Sequence, residues 1–396
     1  MTNNGGIVTF TGSATAGAGS ITIDDPVNDV GAGLLQFSNL SSAGSALITV
    51  NGGHSSGAPG SAVTFRGGST AGPTAGNATI ITNGGMVAGA GGATTVFSEF
   101  TDGGTARAVT NAGGTFDISQ VSAPGMGIGS IEGAGAYILG SRNLSVGGNN
   151  LSTTVSGVIQ DGSSGTGGSL TKVGSGTLTL SGANTYTGGT LVNAGTLLAA
   201  NATGSATGPG AVEVSAGGVL GGNGAIGGNV AIDSGGILSP GNSPGMLTLG
   251  GSLGLAIGSF LDIEIGGPTP GTDYDQVFVT GPLTLGGSLR VTEIAGFTLT
   301  LGQSFTILDN TGSSLLTTTF ANAPGGAYTD AAGNQFLVNY AANADGGAVA
   351  NDVTLTVTFA VPEPSTGILS GLGLLILAKR RRPIAIIGGG RERGRS

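Results

Sequence analysis

The sequence predicts an all-β protein: a right-handed parallel β-helix (solenoid), then a C-terminal antiparallel β cap domain, then a single short C-terminal membrane helix. Three observations carry this expectation. Glycine supplies 83 of 396 residues without the three-residue period and abundant proline of collagen. Short Val, Ile, Leu and Thr runs return along the whole chain, punctuated by Gly and Asn. Related segments also recur with a period in the twenties, the mark of a repeat architecture.

Residues 1–165 form the first expected unit, a set of irregular solenoid repeats. GIVTFTGSATAGAGSITI (6–23), LLQFSNLSSAGSALITVNGG (34–53) and VTFRGGSTAGPTAGNATIITNGG (63–85) share one plan: an aromatic, small polar residues, an Ala-Gly pair, then a β-rich run. Phe10, Phe37 and Phe65 are 27 and 28 residues apart, and a fourth copy begins at Phe97 or Phe100. In a solenoid each coil places its inward side chains ~4.8 Å from those of the next, while Gly and Asn fill corners that require positive φ. The alternative is a flexible Gly/Ser/Thr linker, against which the regular return of Val, Ile and Phe argues.

Residues 166–258 are the second unit. In LTKVGSGTLTLSGANTYTGGTLVNAGTLL (170–198), Leu178 and Leu180 alternate with Thr177 and Thr179, and Gly182, Asn184, Gly188 and Gly195 mark turns around Tyr186 and a strand at Thr190 to Val192. This stretch resembles the autotransporter-associated β-strand repeat, through Leu170, Lys172, Gly174, Gly176, Leu178, Leu180, Gly182, Asn184, Tyr186, Gly188, Thr190, Val192, Gly195 and Leu197. The resemblance implies a β-helical passenger-like region on a bacterial surface.

Residues 259–359 are expected to cap the solenoid. FLDIEIGG (260–267), DQVFVTG (275–281), SFTILD (304–309), NQFLVNYA (334–341) and NDVTLTVTF (351–359) read as longer strands of a small antiparallel domain covering the last coil.

Residues 360–382 change character. Pro362 and Pro364 lack N–H donors and end the sheet. Gly367 to Ala378 is uncharged, and a helix of that length spans ~18 Å of a ~30 Å hydrocarbon core. Lys379, Arg380, Arg381 and Arg382 follow as a membrane stop, which under the positive-inside rule leaves residues 1–364 outside. Residues 383–396 form a basic tail. The arrangement is similar to the PEP-CTERM sorting signal, matching its motif at Pro362, Glu363 and Pro364 and its arginine cluster at Arg380 to Arg382. The resemblance implies recognition and processing by exosortase, passage through export machinery, and transient anchoring in the inner membrane. The destination it implies is the cell envelope, outer surface or extracellular space. The N-terminal stretch has no basic start followed by an apolar run, so the natural gene product is read as beginning upstream.

Composition narrows the function. With 5% aromatics, 8% charged residues and no Cys or Trp, the chain is short of the large side chains that fill a compact enzyme core, and it has no thiol for catalysis, disulfides or zinc. Residues 1–378 hold five basic and 20 acidic residues, a net charge of -15, which repels phosphate backbones and argues against nucleic acid as a partner; residues 379–396 carry +6. His54, in NGGHSSG, is the single histidine and founds neither a triad nor a metal site. Asp24, Asp25 and Asp29, and the pair Asp273 and Asp275, read as solvated turn residues, the other readings being Ca²⁺ binding or glycoside hydrolysis. Gly222, Gly224 and Gly227 spell GxGxxG with no helix to follow. No catalytic, cofactor-binding or metal residue is therefore expected, and no cofactor. The expected function is that of a non-enzymatic, exported structural or adhesive protein, with extracellular polysaccharide as a candidate partner. The alternatives are a carbohydrate-active β-helix enzyme, tested at Asp273 and Asp275, and a glycan- or ice-binding adhesin using the Thr354, Thr356 and Thr358 ladder.

Overall fold

The structure, a computed structural model, describes residues 1–25, 31–122, 124–347 and 349–361. Its described residues form 35 strands in five sheets and no helix. In the N-terminal part, Thr2–Asn4, Ser20–Asp24, Leu47–Val50, Thr79–Thr82, Arg107–Thr110 and Ser130–Glu132 pair in that order, all parallel. Ile7–Phe10, Leu34–Ser38, Ala62–Arg66, Thr94–Glu99, Thr115–Val121, Ala136–Ile138 and Val158–Gln160 make a second parallel sheet. Strands adjacent in sequence thus fall in different sheets, and each pairs with its counterpart one coil further on. That connectivity is a solenoid, and it replaces the linker alternative.

Alternation decides what each strand buries. In Leu34–Ser38, Leu35 and Phe37 are fully buried while Leu34, Gln36 and Ser38 face outward. Parallel register then stacks like on like: Phe10, Phe37, Phe65 and Phe97 lie face to face with centroids 5.0, 4.8 and 4.6 Å apart, and Phe116 and Tyr137 extend the ladder at 5.6 and 5.9 Å with tilted rings. Of the two residues expected to start the fourth copy, Phe97 takes the ladder position and Phe100 is exposed.

The corners are equally periodic. Thr15, Ser42, Thr74 and Asp102 form a column of parallel bridges, and each side-chain oxygen accepts the N–H of the glycine two residues on, Gly17, Gly44, Gly76 and Gly104. At Gly44 the backbone has φ 62°, and a Cβ there would stand 2.5 Å from the Gly17 carbonyl oxygen, so only glycine fits between the coils. At another corner Asn51, Asn83 and Asn111 join into an amide ladder with bonds of 2.8 and 2.7 Å.

The second half repeats the scheme with new sheets. Eight parallel strands run from Gly125–Ile128 to Leu283–Leu285, and seven from Thr153–Val155 to Ser288–Glu293. The fifth sheet is mixed: Ala225–Ile226, Met246–Leu249, Gln276–Val279 and Ser304–Asn310 are parallel, after which Asp352–Phe359, Gln335–Ala342 and Ala327–Thr329 add in antiparallel fashion.

This corrects the expectation of one antiparallel unit built from all five late strands. Phe260–Ile265 and Gln276–Val279 belong to the solenoid, since Leu261 pairs in register with Leu238 before it and Leu289 after it, and all three are buried. Antiparallel pairing of whole strands begins on Ser304–Asn310; before it, among the described residues, there are only isolated antiparallel bridges, Gly222 with Gly241 and Ile265 with Tyr274. The expected membrane segment, 367–378, lies outside the described residues; among the described residues no helix is long and apolar enough to cross a membrane.

Candidate functional site

The lateral face of the second sheet carries a groove that mixes apolar, hydroxyl, amide and charged side chains. Outward positions on consecutive coils line a groove of Leu34, Gln36, Thr64, Arg66, Val96, Ser98, Glu99 and Gln120. The parallel register stacks Gln36 beside Thr64 and Val96, and Ser38 beside Arg66 and Ser98. One irregularity shapes its far end. The strand Thr115–Val121 carries an extra residue between Asp117 and Gln120 relative to Val96 and Ser98, and opposite this bulge Glu99 adopts φ 60°. A non-glycine residue there costs roughly 1–2 kcal/mol. Glu99 forms an ion pair with Arg66 at 3.5 Å, both side chains being well exposed. Sequence reasoning missed this site because left-handed backbone at a glutamate has no sequence mark, although Arg66 is one of only three basic residues in the first 165.

The repeat region holds buried polar groups instead. Lys172 is 1% exposed, and its ammonium donates to the carbonyls of Val173, Gly174 and Ala194 at 2.8, 2.9 and 3.1 Å, tying one coil to the next. Burial lowers its pKa from the ordinary lysine value. Asn184 accepts the Ile159 N–H at 2.7 Å and donates to the Ala206 carbonyl at 2.6 Å, so its amide substitutes for a strand residue where the second sheet ends. Tyr186 is fully buried, with its hydroxyl 2.6 Å from that of Thr190.

The expected turn carboxylates divide. Asp275 is buried, accepting from the N–H groups of Gly245 and Glu264 at 2.8 and 2.9 Å. Burial pushes its carboxyl up to about 6, against the lowering effect of those two donors, and the charges of Glu264 and Asp262 add to the rise. Asp273 accepts from the Thr269 N–H at 3.0 Å. Both acids therefore organise the backbone around Tyr274, and Asp275 is a buried structural group, not a solvated one. Asp24 lies 2.7 Å from Nε2 of His54, a pairing that their distance in sequence conceals; Asp25 is buried, and Asp29 lies outside the described residues. Thr354 and Thr356 do share the outward face of their strand, the latter with its hydroxyl 3.3 Å from Ser304, and Thr358 is exposed beyond them. Gly222 and Gly224 pack closely on the preceding coil, where a Cβ would meet the Ala199 carbonyl oxygen and Asn201. Among the described residues no group of three His, Cys, Asp or Glu side chains is arranged to hold a metal ion. Pro362, Glu363, Pro364, Lys379, Arg380, Arg381 and Arg382 lie outside the described residues.

Comparison with known proteins falls on the same two segments. Residues 170–199 match the Passenger-associated-transport-repeat family, and residues 360–382 match the PEP-CTERM protein-sorting motif. The chain is also similar to the Adhesin BmaC autotransporter of Brucella suis biovar 1 (strain 1330), 47% identical over 64 residues that make up 15% of this chain and 2% of the adhesin. The chain thus spans a small fraction of that relative's length.

Proposed function

We propose that the protein is a non-enzymatic, exported surface or matrix protein: a right-handed β-solenoid body that presents its lateral faces to the surroundings and is sorted by its C-terminus. The observation that carries this reading is the sorting-motif match at 360–382, directly after the last described strand, Asp352–Phe359, of a body whose solenoid also carries a passenger-repeat match. Exosortase recognises Pro362, Glu363 and Pro364, residues 367–378 hold the precursor in the inner membrane, and Lys379 to Arg382 stop transfer. Cleavage then releases the body or passes it to the envelope. The antiparallel strands at the C-terminal end pair onto Ser304–Asn310 and keep that edge of the fifth sheet from pairing with other chains.

A non-enzymatic role is supported by the carboxylates best placed in sequence for hydrolysis, Asp273 and Asp275, serving backbone N–H groups instead. The adhesin similarity points the same way. Fractionation of cells making the native protein tests the reading. A shortened product in the envelope or medium is expected for the wild type, and a full-length, membrane-retained product for Pro362→Ala combined with Pro364→Ala. A wild-type product that is full-length and cytosolic contradicts it.

A further inference from the structure

We infer that the groove on the second sheet is a binding site for a neutral, hydroxyl-rich polysaccharide running along the solenoid axis, held by Gln36, Thr64, Arg66, Ser98, Glu99 and Gln120. The inference rests on the surface reading above, and it adds a place and a ligand class to it. Three features of the groove support it.

First, hydrogen-bonding capacity is left open there. The Gln36 amide and the Thr64 hydroxyl face outward and, among the described residues, make no side-chain hydrogen bond, while Gln120 has only a long 3.5 Å contact to Ser119. Amides and hydroxyls both donate and accept, as sugar hydroxyls do. Their spacing follows the coils, about 4.8 Å, so an extended polymer meets a new donor and acceptor set at each step along the axis.

Second, the one ion pair in the groove is weakly held. Exposed pairs contribute little because water screens them, and at 3.5 Å Arg66 and Glu99 are not in a close bidentate arrangement. Sugar hydroxyls can take over guanidinium donors and carboxylate acceptors at little energetic cost. The left-handed Glu99 backbone and the bulge before Gln120 place these side chains at one end of the groove, a local strain of the kind that persists where surrounding structure imposes it.

Third, charge chooses among polymers. Residues 1–378 carry a net charge of -15 and the groove's own pair is neutral, so uronic-acid and sulfated chains are repelled while neutral ones are not.

Binding of the detergent-solubilised full chain to immobilised dextran, cellulose, xylan, alginate and polygalacturonate tests the inference. Retention on at least one neutral polymer is expected, weakened at least tenfold by Gln36→Ala, Arg66→Ala and Gln120→Ala combined. Thr177→Ala with Thr179→Ala, on another sheet, leaves retention unchanged. Circular dichroism checks that each variant stays folded, and Arg66→Lys separates charge from the guanidinium's geometry by restoring only part of the affinity. Binding to no neutral polymer, binding to the two acidic polymers alone, or equal binding by the triple variant overturns the assignment. These outcomes are separable from the localisation test. A processed envelope protein that fails on all neutral polymers loses the groove and keeps its sorting, whereas a full-length cytosolic product removes the reading on which the groove rests.

Discussion

The rings of Phe37 and Phe65, on neighbouring coils, lie 4.8 Å apart with only 5° between their planes. Both are fully buried, so each coil supplies the surface that buries the next. This relationship gives the solenoid a core without a globular interior, and it makes stability a property of neighbours.

Replacing Phe65 with Ala removes a ring sandwiched between Phe37 and Phe97 and should destabilise the body by about 3–5 kcal/mol. Phe37→Ala and Phe65→Ala combined should cost less than the sum, because they share one contact. Denaturant midpoints of the single and double variants measure both effects. Phe100→Ala, at an exposed position, should shift the midpoint little.

Lys172 predicts a different kind of loss. Lys172→Met keeps much of the side-chain volume but removes all three N–H donors, leaving the carbonyls of Val173, Gly174 and Ala194 without that partner. Each unpaired buried acceptor costs ~1–3 kcal/mol. The thermal midpoint should fall, with amide hydrogen exchange rising first around residues 172–196.

Asn184 separates donor from acceptor. Asn184→Ala loses both bonds of the amide, while Asn184→Asp keeps an acceptor for the Ile159 N–H and turns the donor to Ala206 into a second oxygen. The aspartate variant should therefore be less destabilised at pH 4, where a protonated carboxyl can still donate, than at pH 7. Melting curves at the two pH values decide it.

Asp275 makes wild-type stability pH-dependent. Its folded-state pKa, about 6, lies above the ordinary aspartate value, so the folded protein holds that proton more tightly than the unfolded chain. The resulting stabilisation is complete below about pH 4 and is lost as the pH rises through about 6. Asp275→Asn should flatten the melting temperature across that window, while lowering it overall because only one amide oxygen remains for two N–H donors.

Much of this was legible in the sequence, for physical reasons that vary by position. Phe10, Phe37 and Phe65 advertise the coil because nearly equal spacing is what stacking requires. Phe116 and Tyr137 hid because their coils are shorter, although their rings continue the same ladder. Strand direction was not legible: Phe260–Ile265 alternates as well for a parallel partner as for an antiparallel one, and only the register of Leu238, Leu261 and Leu289 decides. Lys172 stood out by composition, but its carbonyl cage depends on Ala194 arriving from the next coil. The groove was hidden because Glu99 and Gln120 reach it through a bulge and a left-handed residue, neither of which is written in residue type.

Mass spectrometry of the C-terminus of the protein recovered from its native cells tests the central claim most directly. The account predicts an envelope or extracellular product that ends near Pro362 to Pro364 and lacks the Arg380 to Arg382 cluster, with the solenoid body intact. A product that runs to Ser396 and stays in the cytosol would contradict it.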